Sequence, residues 1–336
     1  MQFKCKECNE DFSNKRSLHT HIKKHKLLLG DYYVKHFPRF DKLTGDPIGF
    51  KGFDQYFSSN FNNNANMIEW CGSAPQQDVR DFILEEFKQK IEEKSLAKAP
   101  SSIYLKTAGL PTVDIIKNVF GSYSALCAEV GLDVAFGARL DDEFFKDYSD
   151  VDIFVDTREN HPLLFKNATT MKLDFGDYSL TAKDYSYTHV ERKSWQDFAL
   201  TVTSGHKRFL RELERCKRAG CFLFIVVEID FLDIESVNYA AFKRVNLDYV
   251  FHQMRDVESQ YPETCQFIFS GSREDSMSLI PKILCLGKRL WRVDLQYFWE
   301  KHLKDHGLGK RKSKTAQTFR RYKPKNLAKR GIFGGG

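Results

Sequence analysis

The stretch DFGDYSLTAKDYSYTHVERKSWQD, Asp174–Asp197, holds a Gly-Asp pair (Gly176-Asp177), then Glu191-Arg192-Lys193, then Asp197 after three more residues. Thr188, Val190 and the flanking aromatics suit a strand, and a strand points alternate side chains to opposite faces. Glu191 and Lys193 therefore share one face, with Val190 and Arg192 on the other. With Asp177 at the end of the preceding strand of a hairpin, its carboxylate meets Glu191 across a gap that one cation fills. Two hard carboxylates and an ammonium at the rim of a sheet suit Mg²⁺-dependent hydrolysis of a phosphodiester. Such carboxylates bind the ion through oxygen, and the ion activates water and neutralises phosphate charge. Lys193, a compact point charge, orients that water or stabilises the charge that develops on phosphorus.

The pattern continues on both sides. Upstream, Val151-Asp152-Ile153-Phe154-Val155-Asp156 alternates as a strand and runs into Thr157-Arg158-Glu159. Downstream, Phe222–Ile229 (FLFIVVEI) is the short apolar run of a strand buried on both faces, closing on Glu228-Ile229-Asp230. Together VDTREN, GDYSL and VERKSWQD resemble the XPF-type structure-specific nuclease domain over roughly residues 149–290, whose signature is GD, a variable gap, ERK, three residues and D. The resemblance implies an α/β restriction-endonuclease-like domain with a central mixed sheet, spanning 149–304. It implies Asp156, Asp177 and Glu191 as ligands of Mg²⁺ or Mn²⁺, Lys193 as catalytic, and Arg158, Glu159, Arg192 and Asp197 as supporting residues. Lys207, Arg208 and Arg211, after the break at Ser204-Gly205, are candidate phosphate contacts, and a solvated helix face is the plainer reading of them.

A chain of 336 residues is long for one domain and points to several. The first residues, MQFKCKEC, lack a signal-peptide core, no stretch has the apolar length of a membrane span, and eight cysteines are too few for a disulfide framework. An intracellular setting with thiols free for metal is the expectation. The net charge of +7 is uneven: Lys301–Gly336 carries twelve Lys/Arg and one acid, so the remaining chain is slightly acidic. A basic tail over 305–336 fits contact with nucleic acid through counterion release, with plain surface solvation as the alternative.

Residues 3–25 carry Cys5-x2-Cys8-x12-His21-x3-His25, with Phe3, Phe12 and Leu18 where a small core is needed. Two thiolates and two imidazoles make a closed tetrahedral Zn²⁺ site, and a unit this short depends on the metal to fold. The expectation is a ββα zinc finger over 1–26. Asn14, Arg16, Ser17 and Thr20 occupy its usual base-reading positions, and His19 belongs on the surface. DNA contact is the favoured role, a protein-binding or structural finger the other.

Residues 27–75 are aromatic-rich without a clean period and predict an irregular segment, with Asn60–Asn66 as a loop. Val79, Phe82, Ile83, Phe87 and Ile91 recur at helical spacing within Gln76–Lys98, an amphipathic helix. Lys94–Ser102 reads as a linker or loop. Leu110–Leu132 predicts two short helices around Gly121-Ser122, the first capped by Thr112 and carrying Ile115, Ile116, Val119 and Phe120 inward. The FGSYSAL…GL portion is similar to the helical repeat beside many homing-endonuclease catalytic domains, over 102–136, so 76–140 is expected to be a helical DNA-binding region. A plain helical hairpin is the alternative, and Lys106 and Lys117 are the basic residues best placed for phosphates. Further on, Tyr239–Tyr261 predicts one helix, Cys265–Ser270 an edge strand, and Ser276–Lys288 the last helix over the sheet.

XPF-type proteins commonly add two helix-hairpin-helix units after the nuclease. Here only Gly307-Leu308-Gly309-Lys310 hints at one, which leaves open a homodimer through the nuclease domain and the branched-DNA preference. The whole reads as a multidomain, Mg²⁺-dependent DNA endonuclease with structural zinc. It acts on branched DNA or on a specific duplex site, as a mobile-element or phage enzyme would. The rival is a DNA-binding regulator with a catalytically silent nuclease fold.

Overall fold

The computed structural model describes residues 3–49, 56, 57, 59–134, 140, 142–181, 185–241 and 244–305. The basic tail after Asp305 and the Gly307–Lys310 hint lie outside them. In chain order the elements are β1 (Phe3–Lys4), β2 (Asp11–Phe12), α1 (Lys15–Ile22), α2 (Leu29–His36), α3 (Asn64–Ser73), α4 (Gln76–Lys94), α5 (Ser102–Ala108), α6 (Val113–Phe120) and α7 (Tyr123–Val130). Then come β3 (Asp152–Asp156), β4 (Asn167–Met171), β5 (Tyr178–Leu180), β6 (Thr188–Lys193), α8 (Trp195–Val202), α9 (His206–Arg218) and β7 (Phe222–Val227). The last are α10 (Ile234–Ala240), α11 (Leu247–Gln260), β8 (Cys265–Phe269), α12 (Arg273–Leu286) and α13 (Leu295–Asp305).

Strands β3–β8 form one mixed sheet in the order β4-β3-β5-β6-β7-β8. The β3–β5 and β5–β6 pairs are antiparallel and the other three parallel. β7 explains the layering. Phe222, Phe224 and Val226 point into one core with Leu279, Ile283 and Leu284 of α12 and Trp299 of α13. Leu223, Ile225 and Val227 point into another with Phe198 of α8, Leu213 of α9 and Met254 of α11. A strand that must bury both faces carries no polar alternation, hence the continuous apolar run. β4, the unforeseen edge strand, is exposed along its whole length.

The helices correct the sequence reading in places. α12 is not the last cover, because α13 follows and buries Trp299. The helix expected over Tyr239–Tyr261 is two, α10 and α11, parted at 241–246, with Asn246 capping the second. α3 starts at Asn64, inside the expected loop, because Asn63 accepts from the amide of Asn66 and nucleates it. Thr112 stands at the N-cap of α6 without a side-chain bond, whereas Ser122 caps α7.

Nor are 1–26 and 27–75 independent. Cys5, Leu18 and Ile22 share a core with Tyr32 and Tyr33 of α2, Ile48 and Tyr56. The Tyr32 hydroxyl accepts from the Lys6 amide at 2.8 Å, and His19, expected on the surface, meets the Tyr33 hydroxyl at 3.0 Å. Buried Asp41 then accepts from the amides of Leu43, Thr44 and Asn62 and from the Asn66 side chain, tying this unit to α3.

The supposed linker Lys94–Ser102 is a docking segment. The Ser101 amide donates to Glu258 Oε1 at 3.1 Å, and Ser102 donates its amide and hydroxyl to Asp294 at 2.6 and 2.8 Å. All four residues are buried. Lys106 and Lys117, expected to face phosphates, instead pair with Glu300 and with the Tyr297 hydroxyl of α13.

Burial pushes the Glu258 carboxyl from 4.5 up to about 7, with Ser101 partly opposing the rise. The folded chain therefore keeps a proton that the unfolded chain has released. The resulting stability is fully present below pH 4.5 and is lost as pH rises through about 7. The difference is worth about 3 kcal/mol at 1.36 kcal/mol per pH unit. Glu258→Gln keeps an uncharged acceptor for Ser101, so its urea unfolding midpoint is expected to lose this part of the pH slope. A variant with the slope of the parent chain would refute the assignment.

Candidate functional site

The register of three strands builds the site. Val155 of β3 opposes Tyr178 of β5, which opposes Val190 of β6, and all three point into the core beneath α12. One step along, alternation turns Asp156, Asp177 and Glu191 to the opposite face as one row. The backbone continues the ladder there: the Asp156 amide donates to the Asp177 carbonyl and the Asp177 amide to the Val190 carbonyl, each at 2.8 Å. Asp177 thus opens β5, where the sequence reading had it closing a strand.

The glycine before it is a steric requirement. Gly176 has φ +62°, and a Cβ there would lie 2.7 Å from the Val190 carbonyl oxygen. The spacing ERK-x3-D has a cause of the same kind. β6 ends at Lys193, Ser194 caps α8 by accepting from the Asp197 amide, and its hydroxyl donates to the Asp197 carboxylate at 2.7 Å. Asp197 is held by the helix start.

The row is charged and largely buried. Burial pushes the Asp177 carboxyl up to about 8; the Glu191 charge adds to the rise and the Arg192 amide, donating to Oδ2 at 2.8 Å, opposes it. Lys193 Nζ donates to Glu191 Oε1 at 2.6 Å. Burial pulls the ammonium down, but Glu191 outweighs it and the net shift is upward. Beneath the row, Arg192 pairs with Glu228 at 2.7 Å and Glu159 at 3.2 Å and donates to the His161 carbonyl.

Asp156, expected as a metal ligand, has its carboxylate engaged by four donors. Arg158 donates from its amide and Nε to Oδ1 and from its outer nitrogen to Oδ2, at 2.8, 2.6 and 3.0 Å, and the Leu173 amide donates to Oδ2 at 2.7 Å. Burial raises its pKa, these four donors lower it, and the net shift is downward. Asp156, Asp177 and Glu191 accordingly do not gather three ligand atoms as one close group. Asp177 and Glu191 remain a pair suited to a hard cation.

One acid escaped the sequence reading. Burial raises the pKa of Glu212 on α9, the Glu191 charge adds to the rise, and the Lys193 charge opposes it. No motif marks it; only the packing of α9 against β7 and α8 brings it there. Lys207, Arg208 and Arg211, on the first turns of α9, are exposed.

Among the described residues, the one close group of three or more metal-ligating side chains is Cys5, Cys8, His21 and His25, whose ligand atoms all lie within 4.8 Å of one another. Cys8 Sγ is 3.1 Å from His21 Nε2, and Cys5 Sγ 3.6 Å from His25 Nε2. His25 reaches the group from a 3₁₀ turn, Lys23–His25, which closes α1. Two sulfurs and two imidazole nitrogens converging this way fit tetrahedral zinc. Asn14, Arg16, Ser17 and Thr20 are all exposed on α1, with Asn14 Oδ1 engaged by the Ser17 amide at 2.9 Å.

Residues 155–283 match the family model of the ERCC4 domain. The match starts at Val155, beside the carboxylate row, and ends on α12, so it runs from the end of β3 into α12. Solved structures similar to the chain include XPF from Aeropyrum pernix, 20% identical, covering 46% of this chain and 73% of that one with a TM-score of 0.32. Another is XPF from Aeropyrum pernix in complex with DNA, 18% identical, covering 47% and 82% with a TM-score of 0.29. No curated protein matches the sequence. The ERCC4 domain therefore carries the row, Lys193 and Glu212, while the Cys/His group lies outside it.

The Cys/His group has its own core, separate from those of the ERCC4 domain. Chelation with phenanthroline is expected to remove amide-exchange protection from α1 and α2 while β7 and β8 stay protected. Hydrogen-exchange mass spectrometry checks this. Unchanged protection in α1 would mean that no metal holds the unit.

Proposed function

We propose that the chain is a metal-dependent DNA endonuclease that hydrolyses phosphodiesters at the carboxylate row. The observation that carries this is the side-by-side placement of Asp177 and Glu191, with Lys193 ion-paired to Glu191, on one face of a sheet that matches the ERCC4 domain. Asp177 and Glu191 would hold Mg²⁺ or Mn²⁺, which when bound lowers the pKa of water and offsets charge on the phosphate. Lys193 keeps its proton, since Glu191 holds the ammonium charged, and supplies a fixed positive charge beside the reacting phosphate. Glu191 and Asp197 in turn keep Lys193 and the start of α8 in place. Arg158, Lys207, Arg208 and Arg211 offer exposed cations for the flanking backbone.

Two substrates compete. The ERCC4 match favours branched or flap DNA. The exposed Asn14, Arg16, Ser17 and Thr20 favour a defined duplex site read by a zinc finger, which the Cys/His group supports. Incubating a labelled junction, a flap and a plasmid with Mg²⁺, with and without EDTA, separates these readings. An absent cut would instead favour a DNA-binding regulator with a silent nuclease fold, and a cut that persists in EDTA would refute metal dependence. Asp177→Asn is expected to lose on the order of a thousandfold or more in cleavage rate while DNA binding persists. Cleavage at the parent rate would remove Asp177 from the chemistry.

A further inference from the structure

Asp156 and Arg158 together make an ion pair with one partner inside and one outside. The Asp156 side chain is 1% exposed and the Arg158 side chain 65%. The guanidinium grips both carboxylate oxygens, and it also donates to the Leu173 carbonyl at 2.9 Å. Two backbone amides, of Arg158 and Leu173, take the remaining positions on the carboxylate. A carboxylate with four donors has no open coordination position. Because it is buried, it does not give up its cation without receiving another.

The guanidinium fork fits a phosphate diester as well as it fits a carboxylate. Arg158 also stands close enough to Glu191 and Glu212 for their charges to act on it, so it borders the row. A nucleic-acid phosphate at the row is therefore a competitor for Arg158, and a divalent cation is a competitor for Asp156.

We propose that Arg158 is an exchangeable counter-charge that keeps Asp156 closed to metal until a backbone phosphate draws the guanidinium away. This rests on the nuclease reading and adds an order of events to it. With DNA absent, the metal meets Asp177 and Glu191 alone. With a phosphate on Arg158, Asp156 joins them. Linkage requires the converse, so metal at the row strengthens phosphate binding at Arg158. Arg158 is by this account a positioning residue, acting through Asp156.

The test counts bound Mn²⁺ by electron paramagnetic resonance on the zinc-loaded full chain, with and without a short nuclease-resistant phosphorothioate duplex. Without duplex, Asp156→Asn is expected to bind Mn²⁺ as the parent does, and Arg158→Met to bind it about tenfold more tightly. The duplex is expected to tighten binding to the parent by about tenfold and to leave Arg158→Met unchanged. The proposal is overturned if Asp156→Asn weakens binding without duplex, if Arg158→Met gains nothing, or if the duplex still tightens Arg158→Met. Should buried Asp156→Asn melt early, the exposed Arg158→Met alone decides. A parent chain that cleaves DNA while all variants bind Mn²⁺ alike sinks this inference and spares the nuclease reading; one that neither binds Mn²⁺ nor cuts sinks both.

Discussion

The carbonyl of Val190 is the fixed point of the sheet. It accepts the amide of Asp177 at 2.8 Å, with Gly176 pressed against it more closely than any Cβ allows. That contact sets the β5–β6 register, and the register decides which side chains face which way. Tyr178, Val155 and Val190 go to the core below; Asp156, Asp177 and Glu191 go to the rim above. A slip of one residue would reverse the two rows, burying three carboxylates in an apolar layer and exposing Tyr178. The Gly-Asp pair is therefore a structural device first, and its chemical consequence follows from geometry.

Three acids side by side repel one another, and the chain answers with cations at three heights. Arg158 caps the row from solvent, Lys193 lies within it on Glu191, and Arg192 lies beneath, tied to Glu159 and Glu228. Arg192 also shares the His161 carbonyl with Arg273 of α12, which takes the Pro162 carbonyl as well. The loop after β3 is thereby strapped from both sides. Among the described residues the Asp177 carboxylate has no such partner beyond the Arg192 amide, and burial raises its pKa. The row is balanced everywhere except at its centre, where a cation would be most stabilised.

How much of this the sequence disclosed depends on the range of the interaction. β3, β6 and β7 were legible because alternation and continuous apolarity are local. The Cys/His spacing was legible because two short turns set it, and the ERK-x3-D spacing because a strand end, a serine cap and a first helical turn fix it. Nothing local reveals that Leu173, seventeen residues on from Asp156, closes over its carboxylate. Glu212 was missed for the same reason: an acid on an amphipathic helix reads as surface until the helix is docked. Lys94–Ser102 read only as a linker or loop because Ser101 and Ser102 look polar and loose. Their partners, Glu258 and Asp294, come more than 150 residues later.

The charges of the middle region bear on what it does. Residues 76–134 carry nine acidic against seven basic side chains, and Arg80, Lys98, Lys106 and Lys117 are spent on Glu129, Glu263, Glu300 and Tyr297. A surface that attracts backbone phosphates needs exposed cations, and Lys207, Arg208 and Arg211 of α9 are exposed. The middle region instead makes hydrogen bonds and ion pairs through α5 to α11, inside the ERCC4 match, and to Asp294 and α13 beyond it. Arg255 of α11, for example, donates to the Thr107 carbonyl at 2.7 Å. Buried polar contacts of this kind hold one arrangement because any other leaves Asp294 or Glu258 without donors. The middle region is therefore tied to α11, Asp294 and α13 as a brace, while the exposed cations Lys207, Arg208 and Arg211 stand on α9.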